Sequence, residues 1–552
     1  MDSPRLSRRT VLRGAALGLG AAAFGPLATH TAAASAAPPG GKSAIVVGSG
    51  FGGAVAALRL GMAGIETTVL ERGRRWPIDP AGNTFATLDA PDGRSAWLHD
   101  RPYINPLTQL QPIQRYVGVV DEVRGNGINS VYGAGVGGGS LVFGAYTPQP
   151  RRRDFEQVFP RQIDYGELDR VYYPRARAGL GTSPLPADLL AHPAYKGARA
   201  WLADVADYGG EPSFHDFCVD WDLVRAELAG TRRPSVTVGE GPYGINSGAK
   251  NSVDHNYLPR AEATGNVTVL PLHEVVEIRE TQGRSGFEVT VKRIDEYGSV
   301  LERKRLVADY LFMAAGSFYT SALLVTAKAR GALPRLNEHV GKGFGNNGDF
   351  LISRTLTRRE YGAKQAGPGV AALYDDGTPD GTVAMSWQAA PFPELAGGNT
   401  STNLIQLITA ERGSIDYNPA SGRAELNYPW GEANSDVDAR ARRFAGRFHE
   451  RADAAHGFPA NGIPIYPRLA GFGSAATFHG LGGMVMGKAC SYEGRVAGYD
   501  DMYVVDGSLI PGSVGLVNPS LTITAVAERC PVSFKTHKHP TKIYVYIRGG
   551  GG

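Results

Sequence analysis

Cysteine is scarce in this chain: Cys218, Cys490 and Cys530 are the only three among 552 residues, and no two lie close in sequence. They offer no metal-ligand spacing, so a cysteine-held metal centre is not expected. They read as small buried hydrophobes, and a single disulfide would also suit an exported protein. A surplus of either charge is missing too. The formal net charge is +4, and no block of basic residues is interleaved with aromatics, so nothing supports nucleic-acid binding. After residue 28 no apolar run approaches the roughly 20 residues of a spanning helix.

Glycine, by contrast, is abundant at 73 residues, and proline reaches 36, which indicates many turns and long loops. A hydrophobic content of 42% still argues against wholesale disorder. The length exceeds what one hydrophobic core usually supports, so two domains are expected.

The chain is organised around Ala44-Ile45-Val46-Val47-Gly48-Ser49-Gly50-Phe51-Gly52-Gly53. The apolar residues suit a buried parallel strand, and Ala54 to Leu58 suit the first turns of a helix. Between them Gly48, Gly50 and Gly53 form G-x-G-x-x-G. The first glycine permits the tight turn, the second lets backbone approach a pyrophosphate, and the third lets helix pack on strand. A lone triplet could be a structural turn. Here a second strand, Thr67 to Leu70, ends in Glu71, which lies 18 residues past Gly53. A ribose-binding acid is expected at roughly 20. The combination predicts dinucleotide binding.

Residues 1–37 are set apart from the fold. Arg8-Arg9 precedes an apolar Gly/Ala-rich run from Gly14 to Ala28, with small residues from Ala32 to Ala37. This resembles a bacterial twin-arginine export signal, the alternatives being a chance basic N-terminus or a membrane anchor. The protein is therefore expected to be secreted. Export also bears on the nucleotide, because a tightly held FAD travels with the folded protein whereas a diffusible NAD would be lost.

Residues 72–126 read as polar and loop-like. The run Gly133-Ala134-Gly135-Val136-Gly137-Gly138-Gly139-Ser140 disfavours a regular element and reads as a second wall for an extended cofactor. Alone it would be a flexible loop. Strands return at 266–270, 287–291 and 310–313, the last running into Ala314-Ala315-Gly316-Ser317. The nucleotide domain is thus expected to be interrupted by a substrate domain. Near the C-terminus, Phe478-His479-Gly480-Leu481-Gly482-Gly483 sets a histidine among glycines. Met502 to Val505 is a strand ending in Asp506-Gly507, and Asn518 to Arg529 turns into a helix.

Gly48 to Gly53, Glu71, Gly133 to Gly144, His479 and Asp506 to Arg529 together resemble the glucose-methanol-choline (GMC) oxidoreductase family. Within it the likeness is to bacterial cholesterol oxidases of the non-covalent FAD type. It spans nearly all of residues 42–530 and is most specific in Val505-Asp506-Gly507-Ser508-Leu509-Ile510-Pro511-Gly512-Ser513-Val514-Gly515. The resemblance implies an α/β chain, in which a Rossmann-like FAD-binding domain is interleaved with an α+β substrate domain containing a large, mostly antiparallel sheet. The FAD-binding parts would be 42–150, 261–335 and 466–530, and the substrate parts 151–260 and 336–465. Residues 531–552 would be a loosely ordered tail, although Ile543 to Ile547 has the composition of a strand.

By the same resemblance, Phe51, Gly52 and Glu71 would hold the ADP half of FAD, with backbone contact to adenine from Val275. Gly139, Phe143, Gly144 and Tyr146 would line the flavin, while Gly135, Gly137, Gly138 and Ser140 belong to the glycine-rich second wall of the cofactor site. Asp506 and Gly507 would meet it near the pyrophosphate or ring. His479 and Asn518 match the family's active-site histidine and asparagine. The chemistry agrees: alcohol oxidation needs a group to accept the hydroxyl proton, and histidine serves near neutral pH. An amide such as Asn518 can hydrogen-bond oxygen without adding charge. The bland alternative for His479 is a core histidine with its bonds satisfied.

Departures from the pattern bear on the substrate. Gln388 stands where cholesterol oxidases carry the glutamate of the steroid double-bond shift, so isomerisation is not expected. Phe143 replaces asparagine, Tyr146 replaces methionine and Gly480 replaces proline, and one residue is inserted between Gly515 and Asn518. The expected function is oxidation of a sterol-like secondary alcohol to a ketone, with oxygen or another acceptor. The alternatives are a tailoring enzyme for a non-steroid natural product and a flavoprotein without redox turnover. A monomer with at most transient membrane-surface contact is expected.

Overall fold

The computed structural model describes residues 41–103, 110–283, 285–354, 357–376, 385–389, 398–429, 435–454 and 475–530. The twin-arginine segment and the tail lie outside them, as does the expected strand at 543–547.

Five strands form a parallel sheet in the order Met502–Val504, Tyr310–Met313, Ser43–Val47, Glu66–Leu70, Val267–Leu270. The first three, Ser43 apart, are continuously apolar and buried, as strands covered on both faces require, whereas the last two keep Glu66 and Thr268 exposed. Because all five run the same way, their carboxyl ends share one edge. There the chain leaves the sheet through Gly48, Glu71, Pro271, Ala314 and Val505. That edge is where open parallel sheets bind ligands.

The helix Phe51–Met62 follows the first strand directly. Gly48 has φ +97, a left-handed turn that suits glycine. A Cβ on Gly53 would stand 2.1 Å from the Gly48 carbonyl oxygen, and one on Gly52 only 1.9 Å from that of Val505. These two glycines let the helix lie against the strand ends. The C-terminal helix Ser520–Arg529 braces it through Arg59, which grips the buried Glu528 with bonds of 2.7 and 2.8 Å.

A second five-stranded sheet is wholly antiparallel, ordered Asp349–Arg354, Ser401–Leu407, Met385–Ala389, Ala371–Asp375, Pro212–Phe214. Alternation along the strands gives it two different faces. Ile405 and Leu407 point to an apolar cluster with Trp201, Phe350, Phe444 and Phe448. Leu404 and Gln406 take the opposite side, level with Gln388 and Asp349.

One detail differs from the sequence reading. The stretch 72–126 is not all loop, because Val120–Arg124 pairs with Ile128–Gly133, which in turn pairs with Ala475–Thr477. All three cysteines are free, Cys218 and Cys490 being buried.

Candidate active site

One cavity of about 980 Å³ runs from the edge of the parallel sheet to the polar face of the antiparallel one. Its lining brings together Gly48, Gly50, Phe51, Gly52, Glu71, Gly138, Gly139, Phe143, Gly144, Tyr146, Val275, Asp506 and Gly507 with His479, Asn518 and Gln388. Four expected residues do not line it. Gly53 is a packing glycine, as described above. Gly135 and Gly137 turn inward: the Gly137 N–H donates to Ser49 Oγ at 3.0 Å, and Ser49 Oγ approaches the Gly135 carbonyl at 3.3 Å. The Ser140 hydroxyl is spent on the Gly137 carbonyl at 2.7 Å and on the Val253 N–H at 3.0 Å. These three brace the glycine wall from behind instead of facing a ligand.

At the sheet edge Glu71 is buried and takes three bonds, from the Ser49 N–H and hydroxyl at 3.1 and 2.7 Å and from the Gly73 N–H at 2.9 Å. It therefore shapes the glycine turn as well as facing the cavity. Asp506 caps the turn Gly507–Leu509 and also accepts from the Gly316 N–H at 2.8 Å and the Thr320 hydroxyl at 2.6 Å. Burial lifts its pKa above the usual carboxylate range, and those bonds hold it down. Lys250 is a residue the sequence did not single out. Its buried ammonium donates to the carbonyls of Leu141 and Phe143 at 2.7 and 2.8 Å, fixing the loop that carries Gly139 and Gly144. Burial pushes its pKa down to about 7.

At the other end, His479 Nδ1 lies 2.8 and 3.0 Å from the two oxygens of Asp349. Its Nε2 faces Asn518 Nδ2 at 3.5 Å, the outer limit of a hydrogen bond. The two groups converge without satisfying each other, and among the described residues Asn518 Oδ1 is buried with no partner. In the turn before Asn518, Leu516 sits at φ +64, rare for a leucine. Asn347 holds that turn, accepting from the Val514 N–H at 3.0 Å and donating to the Val517 carbonyl at 2.9 Å. Gly480 has a reason as well, since a Cβ there would stand 2.7 Å from Ser130 Oγ. Gln388 is buried and donates to Gln406 Oε1 at 2.8 Å. Asp349, Gln406 and Lys250 carry no sequence signal of a site because none belongs to a motif; before Asp349, Asn346-Asn347-Gly348 announces only a turn.

The cavity can be tested for a flavin dinucleotide. Among the described residues, a Cβ on Gly139 or Gly144 would meet no atom within 4 Å, and one on Gly50 nothing nearer than 3.9 Å. These bare backbones form a cradle open to a ligand. The N-terminus of the Phe51–Met62 helix has no side-chain cap, leaving N–H groups for a phosphate. The residues fit.

A parallel-sheet dinucleotide site joined to a histidine–asparagine pair defines a flavoprotein oxidoreductase. The family model described as GMC oxidoreductase matches residues 409–527. A cholesterol oxidase of Mycobacterium tuberculosis is 28% identical, the match covering 91% of this chain and 93% of that one. A cholesterol oxidase of Acinetobacter baumannii is 24% identical over 91% and 96%. Among solved structures, pyridoxine 4-oxidase from Mesorbium loti superposes with a TM-score of 0.60 at 18% identity, covering 89% of this chain and 98% of its own. A fungal aryl-alcohol oxidase gives 0.58 at 14%, covering 89% and 98%. With the GMC oxidoreductase match confined to residues 409–527 and the likeness to cholesterol oxidases running over nearly the whole chain, the protein is an FAD-dependent alcohol oxidoreductase.

Proposed function

We propose that this enzyme oxidises a bulky, largely apolar secondary alcohol of sterol-like size to a ketone, with oxygen as acceptor. The carrying observation is the His479 ring, anchored at Nδ1 and open at Nε2 toward Asn518 and the cavity. Bound FAD supplies the hydride acceptor. His479 Nε2 takes the hydroxyl proton as the carbonyl forms, and Asn518 Nδ2 donates to the substrate oxygen and holds it in place. Val219, Val236, Ile245, Leu404 and Phe478 give the cavity an apolar lining that suits a ring system and excludes water. The names of the two cholesterol oxidases support a sterol-like substrate.

Gln388 supports oxidation without the double-bond shift of a Δ5-steroid ketone, because a neutral amide cannot take and return a carbon-bound proton. We further propose non-covalent FAD, supported by the lack of any histidine or cysteine near Gly48 to Gly53, and export by the twin-arginine route, supported by Arg8-Arg9. The deciding experiment is anaerobic. Sterols and other secondary alcohols are added to purified holoprotein while the flavin absorbance is followed, then air is admitted and peroxide measured. Bleaching by bulky apolar alcohols is expected. A flavin that no alcohol bleaches would overturn the reading.

A further inference from the structure

His479 can act as a base at Nε2 only while its single ring proton sits on Nδ1, so whatever holds Nδ1 decides whether the site works. That group is Asp349. Both its oxygens lie within 3.0 Å of Nδ1, and it is the one acid paired with His479 among the described residues. The carboxylate is itself held, accepting from the Thr477 hydroxyl at 2.9 Å and from Gln406 Nε2 at 3.4 Å. Thr477 Oγ1 also accepts from the His479 N–H at 3.0 Å, so acid and ring are fixed by one hydroxyl.

The backbone places this acid narrowly. Gly348, just before it, has φ +73, and a Cβ there would stand 1.7 Å from the Leu407 carbonyl oxygen. The Asp349 N–H donates to the Asn346 carbonyl at 3.1 Å. Asp349 then enters the antiparallel sheet opposite Gln406, which lies opposite Ser386 on the next strand. Asp349 is buried and, among the described residues, no lysine or arginine pairs with it. Its negative charge is therefore best compensated when the ring becomes cationic.

We infer that Asp349 is a positioning residue that keeps the proton of His479 on Nδ1 and stabilises the imidazolium formed when Nε2 takes the substrate's hydroxyl proton. In that step the O–H bond breaks, an Nε2–H bond forms, and Asp349 stays ionised. The inference rests on the reading of His479 as the base.

The test uses the FAD-loaded protein. Long-range ¹H–¹⁵N spectra of histidine-labelled protein report the tautomer, with the His479 signals identified by their loss in His479→Gln. The Nδ1–H form is expected in the unaltered enzyme. Asp349→Asn preserves shape, but its amide can donate to Nδ1 and so drive the proton to Nε2. It should keep its flavin spectrum, show the Nε2–H form, and reduce flavin about 100- to 10,000-fold more slowly, the range general-base help is worth. An Nε2–H form in the unaltered enzyme, or wild-type flavin reduction in Asp349→Asn, overturns the assignment. If Asp349→Asn loses FAD, the unaltered enzyme's spectrum still decides. If His479→Ala reduces flavin normally, the base reading falls while the tautomer result stands on its own.

Discussion

Gln388 Nε2 donates to Gln406 Oε1 at 2.8 Å, between the neighbouring strands Met385–Ala389 and Ser401–Leu407. Gln406 in turn directs its Nε2 at Asp349, so a residue in the cavity wall connects to the acid beside His479 through one side chain.

That connection sharpens the prediction for Gln388. Supplied with a Δ5-3-ketone, the wild-type enzyme should form conjugated enone no faster than the solution background. Gln388→Glu should raise the rate if the cavity admits steroids, because it installs a base. The new carboxylate has no N–H to give, so Gln406 must turn its amide to it and withdraw from Asp349. Oxidation should therefore slow in the same variant. Enone absorbance and flavin reduction, followed in parallel, check both halves.

Replacing His479 with Ala should leave the bound-flavin spectrum nearly unchanged and slow the reductive half-reaction by about 100- to 10,000-fold. Stopped-flow bleaching under anaerobic conditions measures it. An unchanged rate would make His479 a structural residue.

The two kinds of glycine give a paired test of the cofactor cradle. A methyl on Gly139 meets no atom of the described residues within 4 Å, so Gly139→Ala should fold normally yet purify with less flavin, the methyl intruding on ligand space. Gly53→Ala drives a methyl into the Gly48 carbonyl and should lower the yield of folded protein itself. Flavin-to-protein absorbance ratios and far-UV circular dichroism separate the outcomes. Acid precipitation of the wild type should release its flavin to the supernatant.

Lys250 predicts a pH dependence. Burial lowers its folded pKa from 10.5 to about 7, so the unfolded chain binds the proton more tightly. Between those values unfolding takes up a proton, and stability rises with pH at up to about 1.4 kcal/mol per unit. The contribution is complete above 10.5 and is lost as pH falls to 7. Lys250→Met should abolish that slope, and should also cost about 1–3 kcal/mol for the two stranded carbonyls. Urea unfolding of holoprotein at several pH values from 7 to 10 is the measurement.

The parallel sheet was readable because its signals are local. A strand such as Ala44 to Val47 is apolar along its whole length, and Gly48 and Glu71 fall where a turn and an acid are required. His479 and Asn518 were readable only through resemblance, since a lone histidine among glycines has no chemistry of its own. The inward turn of Gly135, Gly137 and Ser140 could not be read, because in a run of small residues every second backbone can face either way. Asp349 was invisible for a different reason. It meets His479 across 130 residues of sequence, and only strand pairing brings them together.

The row of polar side chains from Gln388 to His479 has a practical consequence for redesign. Pocket libraries usually treat substrate fit and reactivity as independent variables, to be altered separately. Here a substitution chosen to reshape the cavity at Gln388 or Gln406 also reaches Asp349 and the ring of His479, so under the proposed role of that histidine a variant that loses turnover has not necessarily lost its substrate. Screens on this scaffold should score binding and flavin reduction apart, and should vary position 349 together with the wall.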